Sequence, residues 1–301
     1  MNKDGSIYFK PARTLLFVPG NKESWMEKVV GYSSDAVILD LEDSVPPNMK
    51  EAARDTVASK IPVLAAAGVR VFVRINRDGE GYDTHDIRAC AVSGLEGLVL
   101  PKPDGPEDIQ HVSQILNSLD SPNGSSKISL IPTLETARSL YFAYECSLPE
   151  RVVAVFGAVA KDADGSRSVG YQWTADGAET LHLRSHVVLA ARAAGKMPLG
   201  GLWQQVRDLD GLRASAQINR NLGMSGEMII HPSHADVVNQ VYSPSPQELS
   251  YYRGVVAAYE KALTLGRASV VYEGDHIDLA HVQTARVLLE MDASSQKEAR
   301  K

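Results

Sequence analysis

Three acids close an aliphatic run, Ala36-Val37-Ile38-Leu39-Asp40-Leu41-Glu42-Asp43, and Ser44-Val45-Pro46-Pro47 follows at once. Carboxylates at the end of a buried strand are costly unless something binds them, so this cluster is a first candidate for an active centre. Further groups that could do chemistry end other aliphatic runs: Arg74 and Asn76, Lys102 after Pro101, Glu135, a polar stretch with Lys161, Asp162 and Asp164, and His231-Pro232-Ser233-His234. Two carboxylates from different strands beside an arginine suit a hydrated hard cation. Magnesium takes one or two protein carboxylates and leaves its other positions to water and substrate oxygens. Glu135 and Asp164 are the pair that fits.

Each of these residues also has a plainer reading. Glu135 opens a helical stretch, where an acid complements the helix dipole. Arg74 can be a buried scaffold arginine paired with Asp40 or Glu42. Lys102 can hold Glu42 or Asp43 in place, so that the opening acids Asp40, Glu42 and Asp43 fix Arg74 and Lys102 and orient metal-bound water rather than react. His231 and His234 straddle a proline-led turn without further ligands at zinc-like spacing, and read as a strand cap with local hydrogen bonds. Gly157, Gly165 and Gly170 are too sparse for a phosphate loop, and no Ser-His-Asp signature is present.

The elements that must position these groups alternate along the chain. Short aliphatic runs at Thr14 to Pro19, Ala36 to Glu42, Val71 to Asn76, Gly97 to Lys102, Ser129 to Glu135, Val152 to Ala158, Leu199 to Val206 and Glu227 to Pro232 are separated by helix-periodic stretches such as Lys50 to Ala67, Pro106 to Leu119, Thr136 to Cys146, Ala178 to Ala194 and Leu212 to Leu222. The runs are continuous rather than alternating, as in parallel strands covered on both faces. Eight strand–helix units predict an α/β fold of the TIM (β/α)8 barrel type, whose working residues sit at the C-terminal ends of the strands. The competing topology, a doubly wound open sheet, lacks its Gly-rich fingerprint after the first strand.

A boundary is expected at Ser243-Pro244-Ser245-Pro246, dividing a barrel domain (1–242) from a C-terminal extension (243–301). The extension reads as a helix from Gln247 to Leu265, a hairpin from Ser269 to Asp278 around Gly274-Asp275, a helix from Leu279 to Met291 and a frayed polar tail beyond Ala293. Such an appendage can serve as a lid, an exchange arm between subunits or plain packing. Pro122 to Ser126 reads as a surface loop, and no internal repeat or low-complexity segment is present.

Composition narrows the setting. The 301 residues, 44% hydrophobic, can bury a full core, and 31 Lys+Arg against 37 Asp+Glu with no basic block argue against nucleic acid as a partner. No apolar run reaches the roughly 20 residues of a membrane helix. The two cysteines, Cys90 and Cys146, have neither CxxC spacing nor a signal peptide ahead of them, so reduced, buried thiols in a cytoplasm are expected.

Taken together, the motifs resemble the citrate lyase β-subunit-like enzymes of the HpcH/HpaI aldolase superfamily, which include malyl-CoA and citramalyl-CoA lyases. The matches are Arg13 to Asn21, Val37 to Pro46, Val73-Arg74-Ile75-Asn76, Leu100-Pro101-Lys102, Leu134 to Ala137, Phe156-Gly157-Ala158, Ile230 to Ser233 and Tyr242 to Ser245, in order over nearly the whole chain. The resemblance implies a trimer or hexamer in which Glu135 and an aspartate after the sixth strand hold magnesium and Arg74 binds the substrate carboxylate or enolate oxygen. It also implies that a C-terminal segment lies over the neighbouring subunit's site and supplies an acid–base aspartate, for which Asp278 is the matching position. The implied reaction is magnesium-dependent cleavage or formation of a 3-hydroxyacyl-CoA from an acyl-CoA and a short 2-oxo acid. Alternatives are a CoA-independent pyruvate aldolase and a binding protein with a decayed metal site.

Two positions depart from the family pattern. Ala160 stands where the metal aspartate usually lies, and the interval to Gly170 favours Asp164 over Asp162 as its replacement. Pro198-Leu199-Gly200-Gly201 replaces a stretch that commonly carries an aspartate near the acyl-CoA.

Overall fold

The computed structural model describes residues 10–79, 81–120, 127–157 and 159–298, with residues 78 and 291–298 described by their backbone alone. A closed barrel is formed by β1 (Thr14–Pro19), β2 (Ala36–Asp40), β3 (Val71–Arg74), β4 (Leu95–Leu100), β5 (Ser129–Leu134), β6 (Ala154–Gly157), β7 (Met197–Gly200) and β8 (Gly226–Ile229). Each strand pairs in parallel with its neighbours in sequence, and β8 closes the ring on β1. This is the TIM barrel that the eight aliphatic runs predict.

The reason those runs lack alternation is visible in the packing. Leu15, Ile38, Phe72, Val99, Ile131, Phe156, Leu199 and Met228, from all eight strands, form one buried cluster, the filled interior of the barrel. The intervening residues, among them Val37, Leu39, Val71, Val73, Leu98 and Leu100, join a second cluster with helix residues such as Val57, Ile61, Ile109 and Leu116. Both faces of each strand are therefore apolar, as burial by helices outside and side chains inside demands.

Several elements differ from the sequence expectation. The seventh strand is Met197–Gly200 rather than Leu199 to Val206. Pro198 sits inside it and still accepts a hydrogen bond from Ser225 N–H (2.9 Å), so the proline delays the expected start without breaking the ladder. The stretch Thr136 to Cys146 is two short helices, Ala137–Tyr141 and Ala143–Ser147, that meet at Phe142. A two-strand ribbon, Arg77–Asp78 with Gly81–Tyr82, follows β3 and was not expected. The segment Pro122 to Ser126 lies outside the described residues, as does Ala158. Cys90 and Cys146 are free and buried, and burial pushes both thiols up to about 12. Among the described residues no helix is long and apolar enough to cross a membrane.

The chain divides between Tyr242 and Ser243 into two compact units. In the second, Ser245 and Glu248 form a reciprocal capping box that starts the helix Pro246–Thr264. The hairpin pairs β9 (Val270–Tyr272) with β10 (Asp275–Ile277). Its turn is Glu273-Gly274, both at positive φ (49° and 95°), not Gly274-Asp275. Asp275 is instead the first residue of β10, where it accepts from Tyr251 Oη at 3.1 Å. The last helix, Leu279–Glu298, continues past both Met291 and the expected start of a frayed tail. Tyr251, Val255, Tyr259, Ile277, Val282 and Ala285 give this unit its own apolar core.

Gly97 on β4 is a tight point of the barrel wall next to strands that carry the site. A Cβ there would collide with Ser129 Oγ, lie 2.8 Å from Ser129 O and 2.9 Å from the Phe72 ring. Gly97→Ala is expected to destabilise the protein by about 1–3 kcal/mol, the usual cost of overpacking, measured as a lowered midpoint of urea unfolding with an unchanged slope.

Candidate active site

Register puts the first pair together. In the β2–β3 ladder Asp40 is the direct partner of Arg74. Arg74 grips it with two parallel bonds, Nε to Oδ1 at 2.6 Å and Nη2 to Oδ2 at 2.8 Å, and its Nη1 lies 3.2 Å from Glu42 Oε2. The ring of Phe17 lies 4.7 Å from the guanidinium carbon. Asp40 also accepts from Glu42 N–H (2.9 Å), Ser44 N–H (3.2 Å) and Ser44 Oγ (2.5 Å). Burial alone would raise the Asp40 carboxyl, but the bonds and charge of Arg74 outweigh it and hold the group below its usual range. Burial likewise works against the Arg74 cation, and the surrounding carboxylates leave its pKa raised all the same.

Lys102 forms the second centre. The chain leaves β4 through Pro101-Lys102, and Lys102 adopts φ 50°, a left-handed conformation that only a well-fixed setting maintains in a residue with a Cβ. That setting is present: Tyr82 Oη donates to Pro101 O (3.0 Å) and Arg77 Nη1 to Lys102 O (2.9 Å). The twist aims the Lys102 N–H at Glu135 Oε1 (2.9 Å) while its Nζ reaches Glu42 (2.5 Å) and Asp43 (3.1 Å) and lies 3.5 Å from Asp164 Oδ2. Burial pushes Glu42 up, against the pull of Arg74 and Lys102.

One lysine therefore gathers Glu42, Asp43, Glu135 and Asp164. Asp164 opens the helix Asp164–Val169, where it also pairs with Arg167. Asp162 is exposed, at φ 49°, and takes no part in these contacts.

Glu135 stands apart from the other acids. Both of its bonds, from Lys102 N–H and Thr133 Oγ1 (2.9 Å), fall on Oε1, leaving Oε2 clear of them. Burial drives its carboxyl up to about 7, with the Thr133 hydrogen bond and the charges of Arg74 and Lys102 only partly opposing. A half-buried carboxylate with a clear oxygen and insufficient compensating charge is suited to a cation. No group of three or more His, Cys, Asp or Glu arranged for a metal occurs among the described residues. A two-carboxylate set completed by water and substrate is the magnesium pattern; Glu135 and Asp164 carry oxygen donors of that kind, Glu135 with one oxygen clear and Asp164 with its two oxygens against Lys102 and Arg167.

Sequence reasoning missed Lys50. Its ammonium donates to Leu41 O (2.7 Å), Glu42 O (2.6 Å) and Asn76 Oδ1 (2.7 Å), tying the β2 exit to the β3 exit. A signal was present, since a lysine on the first turn of the helix Lys50–Ala66 faces the positive end of its dipole and needs another reason to be there. Asn76 is held in turn by the fully buried Asp86 (2.7 Å), itself paired with Arg54 (2.6 Å). His231 and His234 do not converge on a metal. His231 Nδ1 bonds to Ser233 Oγ (2.8 Å), and the buried His234 directs Nε2 to Val206 O (3.2 Å).

Beside this polar cluster opens a cavity of about 490 Å³, bounded by Phe17, Trp25, Tyr32 and Leu202, with Lys28 on its wall and Asp40, Asp43 and Arg74 among its polar lining. Asp278, in the C-terminal unit, is partly exposed. It caps the last helix by accepting from Ala280 N–H (3.0 Å) and pairs with His281 Nδ1 (2.6 Å), which holds its carboxyl below the usual range.

Residues 13–232 match the family described as HpcH/HpaI aldolase/citrate lyase. Over 280 residues, 93% of this chain and 94% of the other, the sequence is 30% identical to a (3S)-malyl-CoA thioesterase of Cereibacter sphaeroides. It is 28% identical to the mitochondrial citramalyl-CoA lyase of Rattus norvegicus, over 95% of this chain and 87% of that one. Among solved structures, protein CitE from Mycobacterium tuberculosis in complex with magnesium, acetoacetate and coenzyme A is similar with a TM-score of 0.76 at 26% identity, covering 94% of this chain and 98% of that chain.

The raised carboxyl of Glu135 has a thermodynamic signature. Its charged form is disfavoured in the folded state, so without divalent cations the parent loses stability as pH rises from the ordinary glutamate range through about 7. Glu135→Gln escapes that loss. Its melting temperature relative to the parent is expected to increase between about pH 5 and pH 8, and a difference that stays flat across that range would contradict the assigned burial.

Proposed function

The chain belongs to the HpcH/HpaI aldolase/citrate lyase family, and from that premise we propose that it is a magnesium-dependent carbon–carbon lyase acting on a 3-hydroxyacyl-CoA such as malyl-CoA, citramalyl-CoA or citryl-CoA. The products are an acyl-CoA and a short 2-oxo acid, and condensation is the reverse. The observation that carries this reading is the placement of Arg74. It is fixed by Asp40 and Glu42, yet it lines the cavity with N–H groups beyond those the two acids use, next to the carboxylates suited to a cation. Relatives named as a citramalyl-CoA lyase and as a (3S)-malyl-CoA thioesterase support a CoA ester as substrate.

Glu135 and Asp164 would hold the metal, and the chemistry a bound magnesium supplies is Lewis acidity toward the carboxylate and adjacent oxygen of the oxo acid. In cleavage, a base takes the proton of the 3-hydroxyl, the bond between C2 and C3 breaks, and its electron pair moves onto the thioester carbonyl as an enolate that is then protonated at carbon. Arg74 presents fixed donors where that negative charge builds, and its planar fork is already oriented by Asp40. Lys102 pairs with Glu42 and Asp43 and offsets part of their charge, which weakens the repulsion that these carboxylates exert on the enolate. The apolar cavity receives the thioester arm, with Lys28 available to phosphate oxygens. Asp278 is assigned the proton transfer from a neighbouring copy in a trimer or hexamer, with the C-terminal unit as its lid; sedimentation of the protein tests the assembly.

The relatives named as thioesterases favour one second reading, hydrolysis of the same CoA ester, in which water is consumed and free CoA and the intact hydroxy acid are released. Chromatography of the products separates the two readings. The lyase yields acyl-CoA and a 2-oxo acid trapped as its phenylhydrazone, and requires magnesium and the thioester. Arg74→Lys is expected to lower kcat/KM by about a hundredfold or more despite keeping the charge. Rates near the parent would remove Arg74 from this role, and equal cleavage of substrates without CoA would replace the lyase with an aldolase on free acids.

A further inference from the structure

A second donor faces the same cavity from β8. The β8 exit runs Ile230-His231-Pro232, and all three residues line the cavity that also holds Arg74. β3 and β8 flank β1 and β2 in the ring, so Arg74 and His231 bracket the part of the mouth that Phe17 and Asp40 floor.

The orientation of the His231 ring is set by its own turn. Ser233 N–H donates to Nδ1 at 3.3 Å, and Ser233 Oγ lies 2.8 Å from the same nitrogen. A ring nitrogen that accepts a backbone N–H carries no proton, so the neutral imidazole bears its hydrogen on Nε2. Pro232 restricts the His231 backbone to extended conformations, which fixes where the ring leaves the chain. The remaining polar groups at the cavity base are engaged with one another: Asp40 with Arg74 and Ser44, and Asp43 with Lys102. His231, like Arg74, therefore presents a donor that its local network orients without using.

We propose that His231 is a catalytic residue whose Nε2–H donates to the thioester carbonyl oxygen, sharing with Arg74 the charge that develops there. This rests on the CoA-ester reading given above. A neutral donor and a cationic one, from two strands, would hold the carbonyl with its plane perpendicular to the breaking C2–C3 bond, so that the electron pair of that bond passes into the carbonyl as the enolate forms. A group that strengthens its bond as charge builds lowers the barrier more than it tightens substrate binding. The proton stays on the imidazole throughout, so no oxidant or co-reactant is needed.

The test compares the parent with His231→Leu and His231→Gln, since a glutamine keeps an N–H donor at similar reach. Three quantities are measured: kcat and KM for cleavage of a 3-hydroxyacyl-CoA, the dissociation constant for oxaloacetate with magnesium by titration calorimetry, and the melting temperature. The expected result for His231→Leu is a roughly 10- to 100-fold fall in kcat with KM and oxaloacetate affinity within about threefold of the parent, and partial recovery in His231→Gln. Unchanged kcat in His231→Leu overturns the proposal while leaving the lyase reading intact. A parallel loss of oxaloacetate affinity or of melting temperature also overturns it, because that pattern marks a structural role. A parent that turns over no CoA ester overturns both.

Discussion

Asp40 and Arg74 face each other because β2 and β3 pair in a single register, and the mouth of the barrel is organised around the bidentate bond that this register permits. A buried ion pair repays its desolvation only when the geometry is good and the remaining lone pairs are satisfied. Both conditions hold, since Asp40 also takes N–H groups from Glu42 and Ser44. The bond thereby shapes the loop after β2 as well as the guanidinium. A one-residue slip between the two strands would point Arg74 at the helix layer and leave a carboxylate alone in the barrel.

From this pair outward the acids divide their work by the charge nearest to each. Asp40 and Glu42 have Arg74 beside them, and Glu42 and Asp43 share Lys102. These three brace cations. Glu135 is half-buried with no guanidinium or ammonium bonded to it, only an amide N–H and a hydroxyl, and this difference in partners rather than position in sequence sets it apart from the other three. The mouth is thus two-sided, with an acidic quarter around Glu135 and Asp164 and an apolar quarter around Phe17, Trp25 and Leu202. Asp43 lines the apolar side and pairs with Lys102, which reaches Asp164 on the other.

Much of the barrel is legible in the chain because a strand covered on both faces must be aliphatic at every position, and that leaves a signal independent of any partner. The limits of that signal are local. Pro198 hides the start of β7, because a proline reads as a break although a parallel strand needs only its carbonyl there. Phe142 divides a stretch whose periodicity continues across it. At the site, the strand-end rule finds Asp40, Glu42, Arg74, Lys102 and Glu135, whereas Lys50 and the Thr133 hydroxyl act through three-dimensional neighbours that no spacing reveals. The interval to Gly170 points to Asp164, and its approach to Lys102 depends on how the loop after β6 folds back.

Lys102 holds its neighbours in two separable ways. The bond to Glu135 comes from the main chain and survives any side chain that tolerates φ 50°, whereas the bonds to Glu42, Asp43 and Asp164 belong to the ammonium alone. Glycine and asparagine are the residues that accept such a φ most readily. Over descent, this position can therefore exchange its head group while the carboxylate next door keeps its aim, which makes it a natural point for a barrel of this kind to drift toward new chemistry without first dismantling the old.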